Sequence, residues 1–421
     1  MRMQFFFPDS QDQIDPSFNF TSEERSIYRI RQRDDRYAHE ALGAAPCDGF
    51  LVSKTIVDGL PGAAGKYTGA QRHRLYRVGI RQFFRLDDSD GPRLETMGDC
   101  GAFTYVRDDK PPYTPDEVID FYSECRFDLG ISVDHVILGY DPKADHDTNH
   151  PQRADWQARQ ALTLDLADQF RKLCKARKVT FEPLGVAQGW SPAAYATAVK
   201  ALQKMGYRRI ALGGMVPLKT HEILACLESI DADRGPDTQF HLLGITRYDH
   251  IERFAAYGVT SFDSTSPFRQ AFKDDTDNYY ALDHPPYTAL RVPQVDGNPK
   301  LRAQIRAGQI RQEDALRLER ECLRALRRYG ADEIKSPKTV LQALMDYEAL
   351  WNNDKKRRDR SDAYLEMLTD RPWRSCRCGL CHQIGIDVAL FRGSERNKRR
   401  GFHNLYIFNQ QLRQAQETSA A

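Results

Sequence analysis

The sequence predicts an α/β fold: a (β/α)₈ TIM barrel with a C-terminal zinc-binding subdomain. From Asp48 onward, short β-rich runs alternate with longer runs of helical periodicity, the pattern of a parallel sheet joined by crossover helices. Polar residues and glycines follow several predicted strands, and in a barrel those strand ends share one rim, where active sites are built. Near the C-terminus, three cysteines and a later histidine have the spacing of metal ligands.

The predicted strands and helices follow from the periodicity of apolar residues and from the turn-forming residues between the periodic runs. The Phe5–Phe7 run near the start is a candidate short buried strand, and the Asp/Ser/Pro cluster after it is a loop that either carries a function or only turns the chain. Apolar alternation or short apolar runs predict strands at Gly49–Ser53, Leu94–Met97, His135–Leu138, Thr180–Val186, Arg209–Gly213, Phe240–Gly244 and Thr260–Phe262. Helical spacing of apolar residues predicts helices at Pro115–Arg126, Ala154–Lys178, Pro192–Gly206, Lys219–Ile230, Tyr248–Tyr257, Leu301–Tyr329 and Val340–Trp351.

An open doubly wound sheet would give the same alternation as a barrel. No G-x-G-x-x-G opens the first crossover helix and no phosphate-binding G-x-x-x-x-G-K-[ST] occurs, so a nucleotide-cofactor site has no support. The residues at or just past predicted strand ends favour the barrel; they are Asp99, Asp141, Gln188, Gly213, Gly214, Gly244 and Asp263.

These elements divide the sequence into four predicted regions. An N-terminal segment that joins the barrel covers residues 1–45, and the catalytic barrel with its insertions covers residues 46–350. A basic zinc-binding subdomain covers residues 351–412, and residues 413–421 are expected to form a frayed tail.

The cysteine-rich stretch predicts a structural zinc site. Three thiolates and one imidazole fill all four positions of a tetrahedral site and leave none for a water, which is typical of a structural metal. A redox pair is the alternative for a thiol cluster. His382 competes as the fourth ligand, but it directly follows a ligand cysteine and would have to fold back on the same metal. The predicted ligands are therefore Cys376, Cys378, Cys381 and His403.

Charge and hydrophobicity limit the possible partners and compartment. The 61 basic and 59 acidic side chains give a net charge of only +2, so any nucleic-acid surface must be a local patch. No run of 18 apolar residues occurs and the N-terminal region turns polar early, so we expect a cytoplasmic protein without a membrane partner. The other six cysteines are scattered, which suits a reducing compartment.

One local patch is the basic arm, residues 392–400, which contains four arginines and a lysine. Such a run is often only a solvated face. Beside a metal-bound loop it is a candidate phosphate-contacting surface, so we expect nucleic-acid contacts from Lys398, Arg399 and Arg400.

Two carboxylates at predicted strand ends are candidates for catalysis. Asp99 lies in M-G-D-C-G-A-F, where small neighbours leave room for a ligand, and Asp263 lies in S-F-D-S-T-S-P. Each alone is more simply a capping or turn residue. Together at one barrel rim they form a pair suited to chemistry at a glycosidic carbon, where one carboxylate attacks C1′ and another group handles the proton.

Several motifs together resemble the tRNA-guanine transglycosylase superfamily. The C-x-C-x-x-C run followed by H-N-L resembles its zinc motif, and D-C-G-A-F resembles its D-S-G-G-F. The runs G-V-A-Q-G, A-L-G-G-M and F-D resemble its G-x-V-Q-G, A-x-G-G-L and nucleophile motifs, in the same order along the chain.

The resemblance implies a role for each matching residue. It makes Asp263 the nucleophile and Asp99 the general acid/base, and it places Gln188 and the glycines Gly213 and Gly214 at the base. Either Asp134 or Asp141 aligns with the base-reading aspartate, and Arg269 matches an arginine shortly after the nucleophile.

The opening F-F-F-P-D-S-Q-D-Q and the closing N-K-R-R-G-F-H-N resemble the DNA-modifying branch, the DpdA proteins, and the P-V-G-T segment of the tRNA-modifying members is absent. This resemblance implies exchange of guanine in DNA for 7-cyano-7-deazaguanine (preQ₀), and a partner ATPase of the same modification system. Two alternatives stay open: a tRNA-guanine transglycosylase acting on RNA, and a non-catalytic nucleic-acid-binding subunit on the same barrel.

Overall fold

The computed structural model describes residues 2–87, 93–273, 276–352 and 359–420. They form two compact units. Unit 1 contains residues 1–11, 47–265 and 412–421, and unit 2 contains residues 12–46 and 266–411. Residues 266–350, which were predicted to belong to the barrel region, thus lie in unit 2.

The strands in chain order are β1 Gln4–Pro8, β2 Gly49–Ser53, β3 Glu95–Asp99, β4 Leu129–Ile131, β5 Glu182–Ala187, β6 Arg209–Leu212, β7 Gln239–Leu242, β8 Val259–Asp263, β9 Leu290–Arg291 and β10 Leu390–Phe391. The α-helices are α1 Ala38–Leu42, α2 Lys54–Val57, α3 Gly69–Val78, α4 Ile80–Phe83, α5 Pro115–Cys125, α6 Arg153–Arg177, α7 Pro192–Lys204, α8 Thr220–Asp231, α9 Ile251–Ala256, α10 Ser266–Gln270, α11 Pro299–Arg306, α12 Gln312–Gly330, α13 Pro337–Glu348, α14 Ser361–Asp370, α15 Pro372–Ser375, α16 Gly379–Ile384 and α17 Gly393–Ala420.

Unit 1 is a closed barrel of β1 to β8 in sequential order, with every strand parallel to its neighbours and helices around them. The predicted (β/α)₈ barrel is therefore confirmed. The phenylalanine run is its first strand: Phe6 pairs with Gly49 on β2 and with Asp263 on β8, which closes the ring. The interior core contains Phe6, Leu51, Met97, Leu129, Ile131, Leu184, Val186 and Ala211.

The predicted strand His135–Leu138 is wrong, because the strand lies earlier, at Leu129–Ile131. Its central Gly130 is so closely packed that a Cβ would lie 2.6 Å from the Tyr122 ring, and a glycine in a three-residue strand gives little β signal. Residues 132–137 are buried without a ladder. Side chains accept from two of their backbone donors: the His135 N–H donates to Thr163 Oγ1 at 3.0 Å, and the Ile137 N–H donates to Gln188 Oε1 at 3.1 Å.

Two helix predictions near the C-terminus also need correction. The single predicted helix Leu301–Tyr329 is two helices, α11 and α12, because Gly308 between them adopts a left-handed φ of 68°. Residues 413–420, expected to fray, continue helix α17. Within unit 1, the Gln416 side-chain amide donates to the Met3 carbonyl at 3.0 Å, which holds this end of the helix in place.

Unit 2 is mainly helical, with α12, α13 and α14 packed in succession and a two-stranded parallel pair formed by β9 and β10. Its apolar core includes Cys322, Leu326, Val340, Leu344, Tyr364 and Leu368. Within the described ranges, no helix combines the length and apolar character needed to cross a membrane.

Candidate active site and metal centre

Asp99 ends β3 at the carboxyl-terminal rim of the barrel. The Ser53 hydroxyl at the end of β2 donates to its Oδ2 at 2.8 Å, and the Gly101 N–H donates to the same oxygen at 3.0 Å. Burial raises the pKa of Asp99 above its ordinary value, and the negative charge of Asp263 raises it further. The raised pKa favours the protonated form of Asp99, which is the form that a general acid requires.

Asp263 ends β8 at the same rim and is buried. Its Oδ1 lies 3.0 Å from the donating Gly244 N–H and 3.2 Å from His241 Nε2. His241 Nδ1 in turn lies 2.8 Å from Ser261 Oγ. These contacts are all satisfied when Ser261 donates to Nδ1 and the Nε2–H of His241 donates to Asp263. This orients Oδ1 of Asp263 before a substrate is bound, as a nucleophilic carboxylate requires.

Asp134 lies in the buried segment after β4 and joins Asp99 in one electrostatic cluster. The Gln188 side-chain amide donates to Asp134 Oδ2 at 2.7 Å, and the Cys100 thiol lies 3.4 Å from Oδ1. Burial, followed by the charge of Asp99, raises the pKa of Asp134 to about 7. The cysteine at 100, where the resembling motif has serine, therefore contacts one of the two aspartates that were candidates for reading the base.

Asp141, the other candidate for that role, makes different contacts. It caps the 3₁₀ helix Pro142–Asp145, where its Oδ1 accepts from the Lys143 N–H at 3.0 Å, and its Oδ2 lies 3.4 Å from His150 Nε2. Backbone hydrogen bonding lowers the pKa of Asp141, as expected for a capping carboxylate. The structure thus separates the two candidates that the sequence left equivalent.

The glycine pair after β6 packs directly on Gln188. A Cβ at Gly213 would lie 2.2 Å from Gln188 Nε2, and Gly214 has a φ of +74° that favours glycine. The Gly213 N–H donates to the Ala187 carbonyl at 3.0 Å as part of the barrel. Both glycines therefore permit the close approach that places Gln188 against Asp134.

The rim also carries exposed apolar side chains just beyond four strand ends. Phe103 follows β3, Leu138 follows β4, Val216 follows β6 and Tyr248 follows β7. Apolar and aromatic surface beside buried carboxylates is suited to contacts with the flat face of a base.

The four predicted metal ligands are brought together in unit 2, while His382 is exposed. His403 Nδ1 lies 3.5, 3.5 and 3.4 Å from the thiol sulfurs of the three cysteines Cys376, Cys378 and Cys381. A tetrahedral Zn²⁺ with ordinary bond lengths separates a sulfur and a nitrogen ligand by about 3.6 Å. The donor set and its spacing therefore fit a structural zinc ion.

Two tyrosines support this site from outside the ligand set. The Tyr280 carbonyl lies 2.9 Å from His403 Nε2, so it accepts the proton on that nitrogen and leaves Nδ1 for the metal. The Tyr279 ring stacks on the His403 ring at a centroid distance of 4.2 Å, and its hydroxyl lies 3.4 Å from the Cys381 sulfur.

The basic arm does not have the exposure that its predicted role requires. Arg399 and Arg400 are only 3% and 0% exposed. Arg399 is paired with Glu395 at 2.7 Å, whereas Arg400 donates to the Leu390 carbonyl at 2.8 Å and has its pKa lowered to about 9 by burial. Because helix α17 turns these side chains into the protein, the expectation that they contact phosphates is wrong. Lys398 is half-buried and donates to the Gln13 carbonyl at 2.9 Å.

Arg269 is exposed on α10. Its surface position is the one that a phosphate contact requires, so among the predicted nucleic-acid contacts it stays a prediction.

His241 and Ser53 are the site residues that sequence reasoning missed. A signal for His241 exists, because it is a lone polar residue in the apolar run Phe240–Leu243, which overlaps β7. Such a residue on a barrel strand faces either the interior or the helices, and only the register of β7 with β8 shows that it meets Asp263. Ser53 gave no signal, since a serine at the end of a strand is common in turns.

Comparison with known proteins adds an independent observation. No family model matches the sequence. The chain is 49% identical over 411 residues to a DNA-guanine transglycosylase of Salmonella montevideo, and the aligned region covers 98% of this chain and 97% of that protein. The likeness therefore extends over both the barrel and the metal centre.

Proposed function

This chain belongs to the guanine transglycosylase family, which makes it a glycosyltransferase-type enzyme, and we propose that it exchanges guanine in DNA for the 7-deazaguanine base preQ₀. The observation that carries the proposal is the pairing of Asp99 and Asp263 at one barrel rim, one with a raised pKa and the other held by donors. These are the two roles that base exchange at a glycosidic carbon requires.

In the first half-reaction, Asp263 attacks C1′ of the target nucleotide as the bond from C1′ to N9 of guanine breaks. The leaving guanine takes a proton from Asp99, whose raised pKa keeps that proton available. The sugar is then joined to Asp263 as a covalent glycosyl-enzyme. His241 and Gly244 hold Oδ1, so the geometry of attack is set before the substrate arrives.

In the second half-reaction, Asp99 accepts the N9 proton of the incoming preQ₀ base. N9 then attacks C1′, and Asp263 leaves as a carboxylate. Two displacements at the same carbon retain the β configuration of the nucleotide, and the enzyme returns to its starting protonation state. No nucleotide cofactor takes part in these steps.

Asp134 is proposed to read the base, with Gln188 as the residue that orients it. Guanine and preQ₀ both present N–H donors at N1 and the exocyclic amine, which a buried carboxylate accepts. Gly214 is proposed to offer its backbone to the opposite edge of the base, because the Gly213 N–H already serves the barrel. The apolar rim residues would cover the face of the base.

The proposed DNA target is supported by the relative, which is named a DNA-guanine transglycosylase. A base in a duplex must leave its stack to reach a barrel rim, so unpairing has to come from binding energy or from a partner, here proposed to be an ATPase of the same modification system. Zinc, bound by the cluster in unit 2, would have a structural role only.

The test is release and incorporation of labelled guanine in purified DNA, with tRNA as the parallel substrate. We expect exchange in the deoxyribose polymer and no exchange in the Asp263→Asn variant, with a trapped glycosyl-enzyme detectable by mass only in wild type. Exchange in RNA alone would favour the tRNA-modifying alternative, because the 2′-hydroxyl distinguishes the two polymers at the site. An Asp263→Asn protein that exchanges at the wild-type rate would exclude the nucleophile assignment.

A further inference from the structure

The N-terminal part of unit 2 carries an unusual apolar tip. Ile27 is 88% exposed, Tyr28 is 85% exposed and Ile30 is 50% exposed. Among the described residues, Ile27 and Tyr28 are the most exposed of the large hydrophobic side chains. We call residues 27–30 the apolar tip. Adjacent large apolar groups facing water are uncommon on soluble proteins unless they meet a partner.

A rigid frame of ion pairs presents this tip. Asp15, whose side chain is fully buried, lies 3.5 Å from Arg25 and 3.3 Å from Arg29. Arg29 also donates twice to Asp35, at 2.6 and 2.8 Å. Because Asp15 and Asp35 are both paired and buried, moving the tip would expose or unpair a buried carboxylate, which is costly.

The buried arginines of helix α17 anchor the same frame. Arg396 donates to Glu23 at 2.6 Å and to the Phe20 carbonyl at 2.8 Å, and Arg392 donates to Glu23 at 2.6 Å. Burial raises the pKa of Glu23, but the hydrogen bonds from Arg392 and Gln294 and the charges of Arg392 and Arg396 together outweigh it and lower the pKa to about 2. The basic arm therefore has a structural role: its buried arginines hold the loop that contains Phe20 and Glu23 in place.

The charged and apolar side chains around the tip indicate what kind of partner it binds. Residues 25–36 contain five arginines. Arg25, Arg29 and Arg33 are held in ion pairs within the protein, whereas Arg31 and Arg36 are exposed beside the apolar side chains. A positive apolar tip is poorly matched to another neutral surface but complements a polyanion that has apolar base faces within it. Proteins that unstack DNA combine these features: arginines on the phosphates and an apolar or aromatic wedge between base steps.

We propose that the apolar tip is a duplex wedge, in which Ile27 and Tyr28 insert into the DNA stack while the exposed Arg31 and Arg36 contact phosphates. The inference rests on the proposed function, since it supplies the unpairing that base exchange in a duplex requires. A wedge acts only on stacked, paired DNA, because a target base that is already unpaired has no stack left to break.

The experiment compares the full-length wild type with an Ile27→Ser, Tyr28→Ser double variant on two DNAs. One is a fully paired duplex and the other holds the same target guanine in an unpaired bubble. We expect guanine exchange on the duplex to fall by about 100-fold, the order of an unstacking cost, with a change of less than about threefold on the bubble. The matched control, Ile27→Leu with Tyr28→Phe, keeps the apolar volume and should retain duplex activity.

Fluorescence of a 2-aminopurine placed next to the target reads unstacking without catalysis, so the wedge is tested even if exchange fails. Wild type should raise the fluorescence of the duplex probe and the serine variant should not. Equal losses of the serine variant on duplex and bubble, or no loss on either, would overturn the wedge. A loss seen only when the partner ATPase is added would also overturn it and make the tip a protein-docking surface. Failure of wild type to exchange guanine in the bubble, with unstacking intact, would count against the proposed function alone.

Discussion

Replacing Asp134 by asparagine tests the buried carboxylate cluster most directly. The pKa of Asp134 rises from 3.8 to about 7 in the folded protein, first because of burial and then because of the charge of Asp99. A carboxyl group with a raised folded pKa stabilises the fold fully only below its unfolded pKa, near 4. That stabilisation is lost as the pH rises towards 7, and a pKa difference of one corresponds to about 1.4 kcal/mol.

The whole rise in pKa corresponds to about 4 kcal/mol, of which roughly 2 to 3 kcal/mol falls between pH 5 and pH 8. Asparagine keeps the shape and accepts the Gln188 hydrogen bond but does not ionise. We therefore expect the Asp134→Asn melting temperature to rise relative to wild type between pH 5 and pH 8. At about 2–4 °C per kcal/mol, the gain should be roughly 5–10 °C. Thermal unfolding at a series of pH values measures it.

The matched control is Asp141→Asn, in which a capping carboxylate with a lowered pKa is removed. This variant should be slightly less stable than wild type across the whole range, with no gain at pH 8, and should retain guanine exchange. Asp134→Asn should no longer select the correct base. It should also lack the pH-dependent loss of stability that ionisation of the buried carboxyl group causes in wild type. A melting-temperature difference for Asp134→Asn that stays flat or shrinks from pH 5 to pH 8 would refute the assignment of a buried carboxyl group with a raised pKa.

Four further results are expected. Cys378→Ser should lack the near-stoichiometric zinc that elemental analysis is expected to find in wild type, and circular dichroism should show that unit 2 is unfolded. The reason is that zinc binding at such sites contributes about 10–16 kcal/mol, which rivals the whole stability of a domain. Retention of wild-type stability would contradict a structural metal. His241→Ala should lower kcat of exchange by about 10- to 100-fold with little change in KM, since it orients Asp263 without touching substrate, whereas a pure KM effect would argue against that role. Arg400→Leu should leave the slope of log K against log[salt] for DNA binding unchanged, because this side chain is buried. Arg269→Ala should reduce that slope by about 0.7 to 0.9, and an unchanged slope would exclude a phosphate contact there.

Local patterns along the chain were enough to predict the barrel and the metal ligands. Strand and helix periods repeat along the chain, and three of the four ligands lie within six residues, Cys376–Cys381. Asp99 and Asp263 could be singled out for the same reason, since a polar residue directly after an apolar strand marks the rim of a barrel. The positions of these residues can be predicted because the pattern that indicates each of them lies within a single strand or loop.

Packing between distant segments was needed to separate Asp134 from Asp141, to place His241 against Asp263, and to turn Arg400 into the interior. Asp134 and Asp141 lie seven positions apart in one irregular segment, where no period indicates which side chain is buried. The charge run at residues 392–400 looks solvated in sequence, because its partners Glu23 and Asp15 lie more than 350 positions away. Burial and pairing depend on what distant segments bring to a side chain, and that is set by packing rather than by neighbours along the chain.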